Sequence, residues 1–104
     1  MSDQDKTSSA FIIATRNRPE ELRITVESIV AQTVLPGELC IVDSSVDTPV
    51  RSHIERLCAD SGLRLDYMHP APRGLPRQRN VGLDRTTGDP VFLVDDDVSL
   101  APDC

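Results

Sequence analysis

Aromatic side chains are nearly missing from this chain: two Phe, one Tyr and no Trp among 104 residues, 3% in all. Any core must therefore be built from Ile, Leu and Val. Basic charge is also scarce. The only lysine is Lys6, and 11 Lys+Arg stand against 17 Asp+Glu, a net charge of -6 with a pI near 4.7. Nucleic acid is thereby excluded as a main partner, since phosphate neutralisation needs a basic face. Apolar runs long enough to span a bilayer, about 18 residues, are absent, so this chain holds no membrane segment. Residues 1–9, MSDQDKTSS, lack the cationic start and apolar stretch of a signal peptide and read as a disordered tail. The expected location is cytoplasmic, with the inner membrane face open to a longer form of the protein. The three cysteines, Cys40, Cys58 and Cys104, have no metal-type spacing. Cys40 and Cys58 read as small, reduced, buried hydrophobes. A Walker-type loop, a G-x-G-x-x-G turn and a supported Ser–His–Asp set are also missing, which argues against the common dinucleotide folds and nucleophilic hydrolysis.

What is present suits one compact soluble domain, 38% hydrophobic and 27% charged. "FIIAT" (11–15), "LCIVD" (39–43) and "VFLV" (91–94) are short continuous apolar runs, as expected for strands covered on both faces. "LRLDYMH" (63–69) alternates and predicts a strand with one face less covered, at an edge. Between these runs lie three helical patterns. The first follows Asn17, a candidate cap, and Pro19, with Leu22, Val26, Ile29 and Val30 at helical spacing. The second starts at Pro49, capped by Asp47 or Thr48, with Val50, Ile54, Leu57 and Cys58 on one side and Gly62 as its stop. The third spans 76–87, with Val81 and Leu83 as its main apolar contributors and Gly82 inside it, explained either by close approach to a strand or by simple tolerance. The order βαβαβαβ predicts a mainly parallel sheet with helices on both faces. Ligands in such sheets bind beyond the carboxyl ends of the strands, where Thr15, Asp43 and Asp95 fall.

Asp95, Asp96 and Asp97 are the strongest chemical signal. Adjacent like charges raise one another's pKa, so the triplet calls for a positive partner. A solvated turn or helix cap would also accommodate it. Its position after a strand at the ligand edge favours a divalent cation, Mg²⁺ or Mn²⁺, which takes carboxylate and phosphate oxygens. Alternation along an extended segment would direct Asp95 and Asp97 to one side, with Asp96 opposed. Asp43 reads as a polar strand end or as an acceptor for a base N–H or ribose hydroxyl. "RGLPRQRNVGL" gathers Arg73, Arg77, Arg79 and Asn80 around the start of the third helix, either a solvated basic face or a diphosphate cradle. His53 is expected at the surface, and His69, near a strand's carboxyl end, is a minor candidate for ligand contact.

Four of these stretches together resemble the amino-terminal half of a family 2 glycosyltransferase of the GT-A fold. "FIIATRNRPEELRITVESIVAQT" is similar to that family's first strand, T-x-N-R turn and helix. "LCIVDSSVD" resembles its V-D-x-S-x-D turn, "RGLPRQRNVGLDRTTGD" its G-x-x-x-A-R-N-x-G segment, and "VFLVDDDV" the strand entering its D-x-D motif. The resemblance implies a Rossmann-like GT-A sandwich with strand order 3-2-1-4, in which residues 10–104 form a truncated, nucleotide-sugar-binding half. It implies that Thr15, Arg16 and Asn17 line the nucleotide pocket and that Asp43 contacts the base. Arg79 and Asn80 would lie beside nucleotide and sugar. Asp95 and Asp96 would belong to the nucleotide-binding set, Asp95 near ribose or sugar, and Asp97 with Asp95 would hold Mg²⁺ or Mn²⁺. The implied partner is a UDP-, GDP- or dTDP-sugar, and the implied reaction is inverting transfer of the sugar to an acceptor hydroxyl. Ser44 stands where many members carry a second aspartate, and Gln78 where alanine is usual. No catalytic base is assigned; it is expected beyond Cys104, so the isolated chain should be inactive. Two other readings differ in class. One is a catalytically inactive fragment or interaction domain, which would self-associate. The other is a receiver-type signalling domain, which needs paired acids after strand one and a later lysine, whereas strand one here ends in Thr15-Arg16.

Overall fold

A computed structural model of the protein describes residues 9–32 and 34–94. In chain order these form β1 (Ala10–Thr15), α1 (Pro19–Val30), β2 (Glu38–Asp43), α2 (Arg51–Ser61), β3 (Arg64–Met68), α3 (Leu75–Arg85) and β4 (Val91–Val94). All strand pairings are parallel, and the spatial order is β3-β2-β1-β4. The expected α/β, Rossmann-like GT-A arrangement is thus the observed one. Every residue of β2 is buried, because it has neighbours on both edges and helices over both faces.

Strand periodicity divides the core into two layers. Ile13, Leu39 and Ile41 point to one face, where they meet Leu22, Val26 and Ile29 of α1, Ile54 and Cys58 of α2, and Tyr67. Ile12, Cys40 and Val42 point to the other, packed by Met68, Val81 and Val91. On that second face α3 lies very close to β1. A Cβ built on Gly82 would fall 2.4 Å from Ile12 Cγ2, so close approach, not tolerance, accounts for this glycine. Cys40 and Cys58 are buried, and desolvation pushes each thiol up to about 11, leaving them un-ionised at neutral pH.

Several local expectations need correction. Asn17 does not cap α1; Arg18 holds the N-cap position and no side chain bonds there. The second helix starts at Arg51, not Pro49, and neither Asp47 nor Thr48 gives it a side-chain cap. In α3 the buried positions are Gln78 and Gly82, while Leu83 is exposed, because the helix is seated by its smallest residue. β4 is not fully covered: Phe92 and Leu93 are 47% and 49% exposed, since β4 has a strand on only one side among the described residues. Phe92 does reach Phe11, edge to face at 5.5 Å between ring centroids. At the amino end of the sheet, the buried Glu38 carboxylate accepts from the backbone N–H of Thr87 (2.6 Å) and Gly88 (2.8 Å), fixing the turn that feeds β4. His53 is exposed, as expected, and faces Glu27 of α1 at 3.1 Å.

Candidate functional site

Parallel pairing in register brings Thr15 opposite Asp43, so the loops leaving β1 and β2 start side by side. Both residues are buried. Asp43 is only 2% exposed, and each of its carboxylate oxygens has a partner. Oδ1 accepts from the Ser45 N–H at 2.8 Å, and Oδ2 accepts from the Tyr67 hydroxyl at 2.5 Å. A buried carboxylate is tolerable only with such partners. Burial, and then the hydrogen bond to Asp43, push the Tyr67 phenol well above its ordinary value. Arg51 lies over the Tyr67 ring, 4.8 Å from guanidinium carbon to centroid.

The two loops are cross-bonded. Asn17, in the left-handed region at φ 56°, donates its N–H to Ser45 Oγ at 2.6 Å, and its side-chain oxygen accepts from the Val46 N–H at 3.1 Å. Asparagine tolerates that backbone region better than most residues. Arg16 Nη1 donates to the Ser44 carbonyl at 2.9 Å. His69 Nε2 lies 2.8 Å from the Ser45 carbonyl, which can only accept, so Nε2 carries a proton. Between the loops is a recess of about 20 Å³ lined by residues that include Thr15, Asn17, Asp43, Thr48, Val50 and Tyr67. That holds about one water.

α3 enters the same edge. Gln78 is buried in its first turn, and Nε2 donates to the Thr15 carbonyl at 3.0 Å and the Val42 carbonyl at 2.9 Å. Arg79 follows it half-buried, and Asn80 is exposed, as are Arg73 and Arg77. Thr15, Arg16, Asn17 and Asp43 are therefore assembled into one bonded cluster, with Arg79 and Asn80 on the helix anchored to it. Asp95, Asp96 and Asp97 lie outside the described residues. Val94, which precedes them, pairs with Ile13, two residues before Thr15. Among the described residues, no three His, Cys, Asp or Glu side chains gather into a group able to hold a metal ion. Carboxylates are the right donor chemistry for Mg²⁺ or Mn²⁺, and Asp95–Asp97 is the one run of three acids in the sequence. No helix among the described residues is long and apolar enough to cross a membrane.

Sequence reasoning passed over Tyr67, Gln78 and Ser45. Tyr67 carried a usable signal, being the chain's one tyrosine, near the carboxyl end of a strand adjacent to the one that ends in Asp43. Gln78 stood out as a large polar residue where alanine is usual, but nothing in the sequence said it would turn inward.

Comparison with known proteins fits this architecture. The chain is 33% identical over 101 residues to a glucosyl-dolichyl phosphate glucuronosyltransferase of Haloferax volcanii, an alignment covering 94% of this chain and 31% of that protein. Among solved structures, S. aureus TarS superposes with a TM-score of 0.70 at 24% identity, over 91% of this chain and 17% of that one. The mannosyltransferase PcManGT from Pyrobaculum calidifontis, crystallised with GDP-Man and Mn²⁺, gives 0.70 at 23% identity, over 88% of this chain and 28% of that one. The chain thus spans less than a third of the length of each of these three proteins. The family model described as glycosyl transferase family 2 matches residues 10–104, nearly the whole sequence. With the parallel βαβαβαβ sheet and the Thr15–Asp43 edge in hand, that match settles kinship: the chain belongs to glycosyl transferase family 2.

Proposed function

We propose that residues 10–104 are the donor-binding segment of a glycosyltransferase, taking a nucleotide diphosphate-sugar whose sugar is passed to an acceptor hydroxyl with inversion. The observation that carries the reading is the cross-bonded cluster of Thr15, Asn17, Asp43 and Ser45 at the carboxyl edge of the sheet. Family membership supports it, and so do structural relatives crystallised with GDP-Man and Mn²⁺, UDP-GlcNAc, or UDP.

In this reading Asp43 accepts from a base N–H. Each carboxylate oxygen has a second lone pair after its bond to Ser45 or Tyr67, so the residue need not release either partner. Thr15, Arg16 and Asn17 border the nucleoside, and Arg79 and Asn80 approach nucleotide and sugar from α3. Asp97 and Asp95 would hold Mg²⁺ or Mn²⁺, with Asp96 supporting their loop. Such an ion, when bound, neutralises the charge on the diphosphate leaving group. Residues 10–104 are proposed to supply the donor side of the reaction, and none of them is assigned as the base that deprotonates the acceptor hydroxyl.

The test is calorimetry of UDP, GDP and dTDP binding with Mn²⁺ and with chelator. At least one nucleotide should bind, and only when metal is present. Asp97→Ala should remove the metal dependence. Binding of equal strength with and without metal, or no binding of any of the three, overturns the proposal.

A further inference from the structure

Gln78 belongs to the first turn of α3, where its N–H donates to the Gly74 carbonyl at 2.9 Å. Its side chain leaves the helix for the sheet and is 96% buried, its relative exposure being 4%. The amide nitrogen has two hydrogens, and both are committed, one to the Thr15 carbonyl and one to the Val42 carbonyl. These carbonyls belong to adjacent strands at the level where the chain leaves the sheet. Arg16 and Asn17 follow the first, and Asp43 follows the second. The Thr15 carbonyl also accepts from the Ser44 N–H at 3.1 Å, so β1, β2 and α3 meet at one oxygen. Alanine at position 78 would leave both carbonyls one donor short in a site closed to solvent, which is costly for buried acceptors.

We propose that Gln78 is a positioning residue for nucleotide binding: its carboxamide joins the ends of β1 and β2 to α3, fixing Asn17 and Asp43 relative to Arg79. The inference rests on the donor-binding reading above. Gln78 touches no ligand in it and acts through the two carbonyls. If the side chain served only to fill the gap between helix and sheet, a donor-free side chain of similar size would serve as well.

Gln78→Met keeps length and bulk and removes both N–H groups; Gln78→Ala removes bulk as well. Calorimetry with UDP and GDP in the presence of Mn²⁺ is compared with thermal unfolding of the same proteins. Both variants are expected to bind about tenfold more weakly than wild type, which is about 1.4 kcal/mol, under conditions where circular dichroism shows them folded. Wild-type affinity in Gln78→Met overturns the inference and leaves the donor-binding reading intact, whereas failure of the wild-type chain to bind any nucleotide sinks that reading instead. A second measurement needs no variant. In the wild-type protein the Gln78 side-chain amide protons should exchange with solvent far more slowly than those of half-buried Gln32, and equal rates would refute the anchoring.

Discussion

Replacing Tyr67 with phenylalanine deletes one oxygen and leaves the ring in the first core layer, the cluster that also holds Ile13, Leu39 and Ile41. The lost interaction is a hydroxyl donating to a carboxylate that is 2% exposed. Hydrogen bonds to charged groups contribute about 1.5–3 kcal/mol net, and a buried acceptor left without its donor bears the full desolvation cost. Two features moderate the effect. Asp43 keeps its bond from the Ser45 N–H, and the adjoining recess of about 20 Å³ can admit about one water to the abandoned oxygen. We therefore expect a loss of about 2 kcal/mol, a large share of the roughly 5–15 kcal/mol typical of a domain. Urea denaturation followed by circular dichroism would measure it, as a lowered midpoint at unchanged slope. A double-mutant cycle with Asp43→Asn should give a coupling of about 1 kcal/mol or more, since the two side chains touch. A loss below about 0.5 kcal/mol, the range of an ordinary surface change, would refute the claim that this contact stabilises the β2 end.

Two further outcomes follow from the same structure. Tyr67 is the chain's one tyrosine and there is no tryptophan, so tyrosinate absorbance reports it alone. Its folded pKa is raised above the ordinary 10.0, chiefly by burial, so the neutral phenol's contribution is complete below pH 10 and is lost as pH rises beyond it. Tyrosinate should then appear only with alkaline unfolding, and ionisation near 10 in the folded protein would contradict both the burial of the phenol and its contact with Asp43. Gly82→Ala decides the cause of the helical glycine. Helix propensity alone would stabilise by about 1 kcal/mol, whereas a Cβ 2.4 Å from Ile12 Cγ2 should reverse the sign, with a net loss of about 1–2 kcal/mol by overpacking; a raised melting temperature would rule the clash out.

Much of this molecule was legible in its residues alone. Continuous apolar runs at 11–15 and 39–43, separated by helical spacing and punctuated by Pro36-Gly37, specify buried parallel strands. Hydrophobic period and connection length act locally and leave few topologies open. The alignment of Thr15 with Asp43 also follows from that pattern, because both close a strand and parallel strands end on one edge. The cap assignment failed at Asn17 because its side chain bonds Val46, 29 residues away, a use that local propensity does not register, while Asp47 and Thr48 give α2 no side-chain cap. The same limit hid the full exposure pattern of β4, since an apolar run looks alike whether one or both of its edges are covered.

What needed the tertiary structure was the partnership of side chains far apart in sequence. Gln78 lies 63 residues from Thr15, Tyr67 lies 24 from Asp43, and Val46 lies 29 from Asn17, yet each pair bonds directly. Sequence order fixed which chemical groups reach the carboxyl edge of the sheet. Which of them face inward to bind one another was decided by packing, because a buried polar atom must find its partner wherever the fold has placed one.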